Sequence, residues 1–119
     1  MFLHLLNPEE KKAFLVLARH LVEVDGDYSP QEEEFIRRFL VELGWSADHP
    51  IHKPSLEEVS SAIKVFDSRR SCVGALLELL GLGHADGYYC PHEQRFLHEV
   101  AELFGLSNKE LVFLEEWVQ

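Results

Sequence analysis

The sequence predicts an all-α fold, a single-domain helical bundle built from two pseudo-symmetric helix–turn–helix repeats. Three observations lead there. Apolar residues recur at helical spacing almost throughout, and no stretch alternates with period two over a useful length. Helix-start signals are frequent and complete. A stretch of 23 residues occurs twice without gaps.

The elements follow in chain order. Asn7-Pro8-Glu9-Glu10 offers an N-cap, a proline at the first helical position and a glutamate at the third. Phe14, Leu17, Ala18, Leu21 and Val22 form one apolar face, so a helix is expected from about Pro8 to Val24. Ser29-Pro30-Gln31-Glu32 is a capping box that opens a second helix. Phe35, Ile36, Phe39, Leu40 and Leu43 make its stripe, and Gly44 is its natural end. Pro50 and Pro54 break the chain into a connector over about residues 47–54. Ser55-Leu56-Glu57-Glu58 starts a short helix to about Phe66. Asp67 or Ser68 caps the next, which carries Cys72, Val73, Leu76, Leu77, Leu79 and Leu80. Cys90-Pro91-His92-Glu93 opens another, with Phe96, Leu97, Val100, Leu103 and Phe104 expected inside and Gly105 ending it. Ser107-Asn108-Lys109-Glu110 caps a last helix with Leu111, Leu114 and Trp117.

The repeat runs from Val24 to Ser46 and again from Ala85 to Ser107. Asp25/Asp86, Gly26/Gly87, Tyr28/Tyr89, Pro30/Pro91, Glu32/Glu93, Phe35/Phe96, Gly44/Gly105 and Ser46/Ser107 are identical. Each copy follows an amphipathic helix, so the repeats span about 8–46 and 68–107, the latter joined by the C-terminal helix. Two such units suggest a pseudo-twofold bundle occupying the whole of 1–119, since a solenoid needs at least three.

The repeated turn reads Asp-Gly-x-Tyr-x-Pro-x-Glu. Glycine supplies the turn, while proline and glutamate start the following helix. The aspartates are harder to place, because a carboxylate at a helix C-terminus faces the negative end of the dipole at a cost of roughly 0.3–1 kcal/mol. An Asx-turn offsets that cost, and so does a nearby cation. If the two halves pack about a twofold, Asp25, Glu32, Asp86 and Glu93 approach one another and call for a metal, a basic side chain or raised pKa values. An EF-hand is excluded, because its position-12 glutamate falls on Ile36 or Leu97. Oxygen ligands suit Ca²⁺, Mg²⁺ or Mn²⁺, and the nearby His84 and His92 would admit Zn²⁺. Asp27 and His92 are additional candidates. Helix capping without any metal is the competing reading.

Composition narrows the function. With 21 Asp+Glu against 11 Lys+Arg the formal charge is −10. Nucleic acid is not expected as a partner, because phosphate binding needs clustered Lys and Arg. An anionic membrane surface is equally disfavoured, which leaves cations or basic protein partners. No apolar run is long enough to span a bilayer and the N-terminus does not read as a signal peptide, so a cytoplasmic protein is expected. Cys72 and Cys90 imply no disulfide framework. Cys90 at an N-cap would have its thiolate favoured, the basis of a lesser alternative as a thiol enzyme, yet Ser29 holds the equivalent place. His92-Glu93-Gln94-Arg95-Phe96 lacks the second histidine of a zincin. No other catalytic constellation and no organic cofactor motif occurs, so a non-enzymatic module is expected. Trp45 and Trp117 are candidates for a partner surface, with core packing the default.

Ala85-Asp86-Gly87 through Gly105-Leu106-Ser107, with Val24-Asp25-Gly26 through Gly44-Trp45-Ser46 as a second copy, resembles the tellurite-resistance TerB-like family. A similar domain stands at the N-terminus of DjlA-type membrane co-chaperones. The resemblance implies an all-helical fold of two related halves and acidic residues that bind divalent metal. It also implies a place in stress-response or signalling assemblies near membrane-associated partners. Carried over, the acidic residues are Asp25 and Glu32 in one half and Asp86 and Glu93 in the other. Asp27 is matched by Tyr88 and Gln31 by His92, so the two turns are not chemically equivalent.

Overall fold

Every start signal becomes a helix in the computed structural model, which describes residues 6–24, 29–46, 53–84 and 90–118, the side chains of residues 117 and 118 excepted. The helices are α1 (Pro8–Glu23), α2 (Pro30–Glu42), α3 (Leu56–Val65), α4 (Arg69–Gly83), α5 (Pro91–Leu103) and α6 (Asn108–Val118). No strand occurs among the described residues.

Capping chemistry sets the N-termini. Reciprocal capping boxes join Asn7 to Glu10, Ser29 to Glu32, Ser55 to Glu58 and Cys90 to Glu93. Ser107 and Glu110 exchange the same pair of hydrogen bonds at the start of α6. At α4 the cap is Ser68, whose Oγ accepts from the Ser71 amide at 3.1 Å. The ends of α2 and α5 also match. Gly44 and Gly105 have φ of 87° and 80°, and each is the left-handed residue of a Schellman turn. Trp45 N–H donates to the Leu40 carbonyl and Gly44 N–H to Val41; Leu106 donates to Ala101 and Gly105 to Glu102. The two copies therefore share their local anatomy at both ends of the second helix.

α1 packs most extensively against α3 and also meets α4. Both α2 and α5 lie against the α1–α4 pair, and α6 closes over α4 and α5. The apolar face expected for α1 is fully enclosed: Phe14, Leu17, Ala18, Leu21 and Val22 are all 0% exposed. α4 is buried nearly all round, as expected of a helix with apolar residues on every side. Phe14 meets Phe39 edge-on at 5.2 Å and Phe66 meets Phe104 at 5.6 Å, which ties α1 to α2 and the end of α3 to that of α5.

One core expectation is corrected. Leu103 is 68% exposed. The inward face of α5 is Phe96, Leu97, Val100 and Ala101, continued by the partly buried Phe104. Leu103 follows Phe96 by seven residues and Val100 by three, at the flank of this face near the end of α5, and packing leaves it outside. Trp45 is partly buried against the core, while the Trp117 side chain lies outside the described residues.

Candidate functional site

Two of the four principal candidates are described. Glu32 and Glu93 stand at the third position of α2 and α5, each 3% exposed. The start of each helix fixes one carboxylate oxygen. Ser29 N–H donates to Glu32 Oε1 at 3.0 Å, and Ser29 Oγ accepts from Glu32 N–H at 3.1 Å. Cys90 N–H donates to Glu93 Oε1 at 3.1 Å, and Cys90 Sγ accepts from Glu93 N–H at 3.5 Å. Both carboxylates also make interactions beyond these. Asp25, Asp27 and Asp86 lie outside the described residues, as do residues 85–89 and the turn residues Gly26 and Tyr28. The pseudo-twofold expected to bring the two turns together rests on those segments.

The donor set tests whether a cation fits. Hard oxygen ligands held in orientation by a hydrogen bond to one oxygen are what Ca²⁺, Mg²⁺ or Mn²⁺ requires. Burial alone does not single them out, since the capping glutamate Glu10 is also only 6% exposed. Glu58 is exposed and Glu110 half-buried, so deep burial of the capping acid is not a general feature of this chain. Among the described residues no three His, Cys, Asp or Glu side chains gather around one point. His92 is exposed. His84, the C-cap of α4, places Nδ1 2.8 Å from the Leu80 carbonyl.

The two thiols have distinct settings. Cys90 is 8% exposed and serves as the N-cap of α5. Burial pushes the Cys72 thiol up, with the Glu10 and Asp67 carboxylates adding to the shift, and its Sγ donates to the Phe66 carbonyl at 3.6 Å. A thiol held protonated in this way is a packing residue and not a nucleophile.

A crevice of about 420 Å³ lies between α5 and α6, lined in part by His98, Glu102, Ser107 and Asn108. His98 Nε2 stands 3.7 Å from Glu115 Oε2. The crevice lies along the second half of α5, away from Glu93 at its start.

The sequence did not single out His20. Its ring packs on Phe96 with centroids 4.6 Å apart, at the seam between α1 and α5. Burial lowers its pKa from 6.5; Lys53 acts in the same direction, while Glu23 and Glu99 oppose it. The folded state therefore holds the proton less well than the unfolded chain. Its contribution is fully present above the unfolded value and is lost as pH falls below 6.5 toward the folded value. Thermal melts from about pH 7.5 to about pH 5.5 should show a smaller loss of stability in His20→Gln than in the parent chain.

A family model described as "Tellurite resistance protein TerB" matches residues 46–115, more than half of the chain. The match takes in α3 to α5 and most of α6, so Asp86 and Glu93 lie within it and Asp25 and Glu32 outside it. No curated protein and no solved structure matches the chain.

Proposed function

The chain belongs to the tellurite-resistance TerB family, and on that premise we propose that it is a non-enzymatic, divalent-cation-binding adaptor of a cytoplasmic stress-response or signalling assembly. Asp25, Glu32, Asp86 and Glu93 would hold the cation, with Asp27 and His92 as additional ligands. The carrying observation is the pair Glu32 and Glu93. They occupy identical places in the repeated motif and share one capping geometry and the same 3% exposure. A bound cation would offset the repulsion of paired carboxylates and bias how the helices that follow the turns pack.

The acidic balance of −10 favours a basic partner, including one anchored in a membrane, over nucleic acid. No helix among the described residues is long and apolar enough to cross a membrane. The second reading is a metal-free interaction domain whose repeated turns are capping chemistry alone. It is favoured by the capping boxes at Asn7, Ser55 and Ser107, which stand outside the repeated turns and have the same hydrogen bonds.

Calorimetric titration of the metal-free chain with Ca²⁺, Mg²⁺, Mn²⁺ and Zn²⁺, paired with thermal melts, separates the two. The cation reading expects heat and a raised melting temperature for at least one ion, both lost in Asp25→Ala/Asp86→Ala. Absence of any heat or shift for all four ions favours the metal-free domain. Partner binding by that domain should weaken with salt and ignore chelators.

A further inference from the structure

The last helix carries apolar residues on two opposite faces. Leu111 and Leu114, at 2% and 9% exposure, face the core. Val112 and Phe113, at 49% and 67%, face outward, where a surface helix ordinarily presents polar groups. Lys109 and Glu116 are exposed beside them. These four stand at i, i+3, i+4 and i+7 and therefore share one stripe two turns long.

The order along that stripe is a cation, two apolar residues and an anion. Such a pattern is complementary to itself when reversed about its midpoint. An antiparallel partner helix of the same sequence sets Val112 against Phe113 of the second copy, and Lys109 against Glu116 of the second copy. Twofold symmetry makes each contact twice. The charges also oppose their own helix dipole, with the cation in the first turn and the anion in the last. Antiparallel pairing brings each beside the opposite pole of the partner helix, where the dipole favours it. Neither Lys109 nor Glu116 makes an ion pair within the chain among the described residues.

From this stripe we propose that the outward face of α6 is an isologous interface at which a second copy of this chain docks, forming an antiparallel α6–α6 pair. A contact of two helical turns lies at the small end of specific interfaces, so the dimer is weak and reversible. The repeated turns take no part in it, and it stands whether or not they hold a cation.

Sedimentation equilibrium of the full chain over a concentration series tests the proposal. The apparent mass should rise from 13.7 kDa toward twice that value. Lys109→Glu sets glutamate against glutamate twice, and Glu116→Lys sets lysine against lysine twice. Each single variant should weaken the dimer about tenfold or more, because two exposed pairs turn repulsive together. Mixing the two variants should restore association, since both pairs in the mixed dimer are attractive. The Lys109→Glu/Glu116→Lys chain should regain it in part, since both pairs are again attractive while each charge now faces the like pole of the partner helix. Glu116→Lys also reduces the net charge from −10 to −8. Repulsion between whole molecules would make that variant associate more strongly, and this interface makes it associate less. Phe113→Ser should leave the melting temperature near that of the parent and abolish the dimer. A chain that stays at 13.7 kDa throughout would overturn the proposal. So would charge variants that associate as the parent does, or a mixture that shows no recovery.

Discussion

Phe14→Ala is expected to remove about 3–5 kcal/mol of stability. The ring is 0% exposed and meets Phe39 of α2 edge-on at 5.2 Å. It stands on α1, which packs against α2 to α5. Truncation loses the transfer energy of the ring and leaves a cavity that fixed helices close only in part. A domain of this size holds about 5–15 kcal/mol in all, so the loss is a large share of the total. Chemical denaturation followed by circular dichroism measures it, and the melting temperature should fall by roughly 10–20 °C. Leu103→Ala is the control. Its side chain is 68% exposed, so the change should stay within about 0.5 kcal/mol.

Glu93→Ala should destabilise the chain by about 1–3 kcal/mol, because it strips the acceptor from a buried backbone donor. That donor is Cys90 N–H, held by Glu93 Oε1 at 3.1 Å in a residue only 8% exposed. Glu93→Gln keeps an oxygen in place and should cost less. The same contrast is expected at Glu32, whose Oε1 accepts from Ser29 N–H at 3.0 Å. The glutamine variants also test the proposed cation site. A ligand that binds only the folded chain raises stability by RT ln(1 + [L]/Kd), about 2.7 kcal/mol at a hundredfold excess over Kd. Under the cation reading, glutamine at either position should largely remove that increment while preserving the fold. An increment that survives Glu93→Gln and Glu32→Gln intact would show that neither carboxylate holds the cation.

Much of this architecture was legible because its determinants are local. A Ser or Asn followed three residues later by Glu satisfies orphan backbone donors within a single turn. Pro8, Pro30 and Pro91 then place the helix starts, whatever the helices later touch. Gly44 and Gly105 end their helices for an equally local reason, since a positive φ strains any residue with a Cβ. Leu103 is apolar and stands at helical spacing from the buried Phe96 and Val100, so periodicity alone places it inside. The repeat itself held the correction: with its offset of 61, Leu103 aligns with Glu42, not with an inward residue. His20 carried no signal at all, because its ring contact is with Phe96, distant in sequence.

The sequence by itself determined six helix starts, their order and the two glycine-ended helices, because capping and periodicity are short-range effects. Tertiary structure decided which acids are buried. Glu32 and Glu93 are enclosed and Glu58 is not, although all three sit in the same capping box. It also decided that α6 turns Leu111 and Leu114 inward while Val112 and Phe113 remain outside. Composition could not make that choice, because a helix with apolar residues on two faces has two ways to pack. Neighbouring helices α4 and α5 cover one face of α6, and the other remains on the surface.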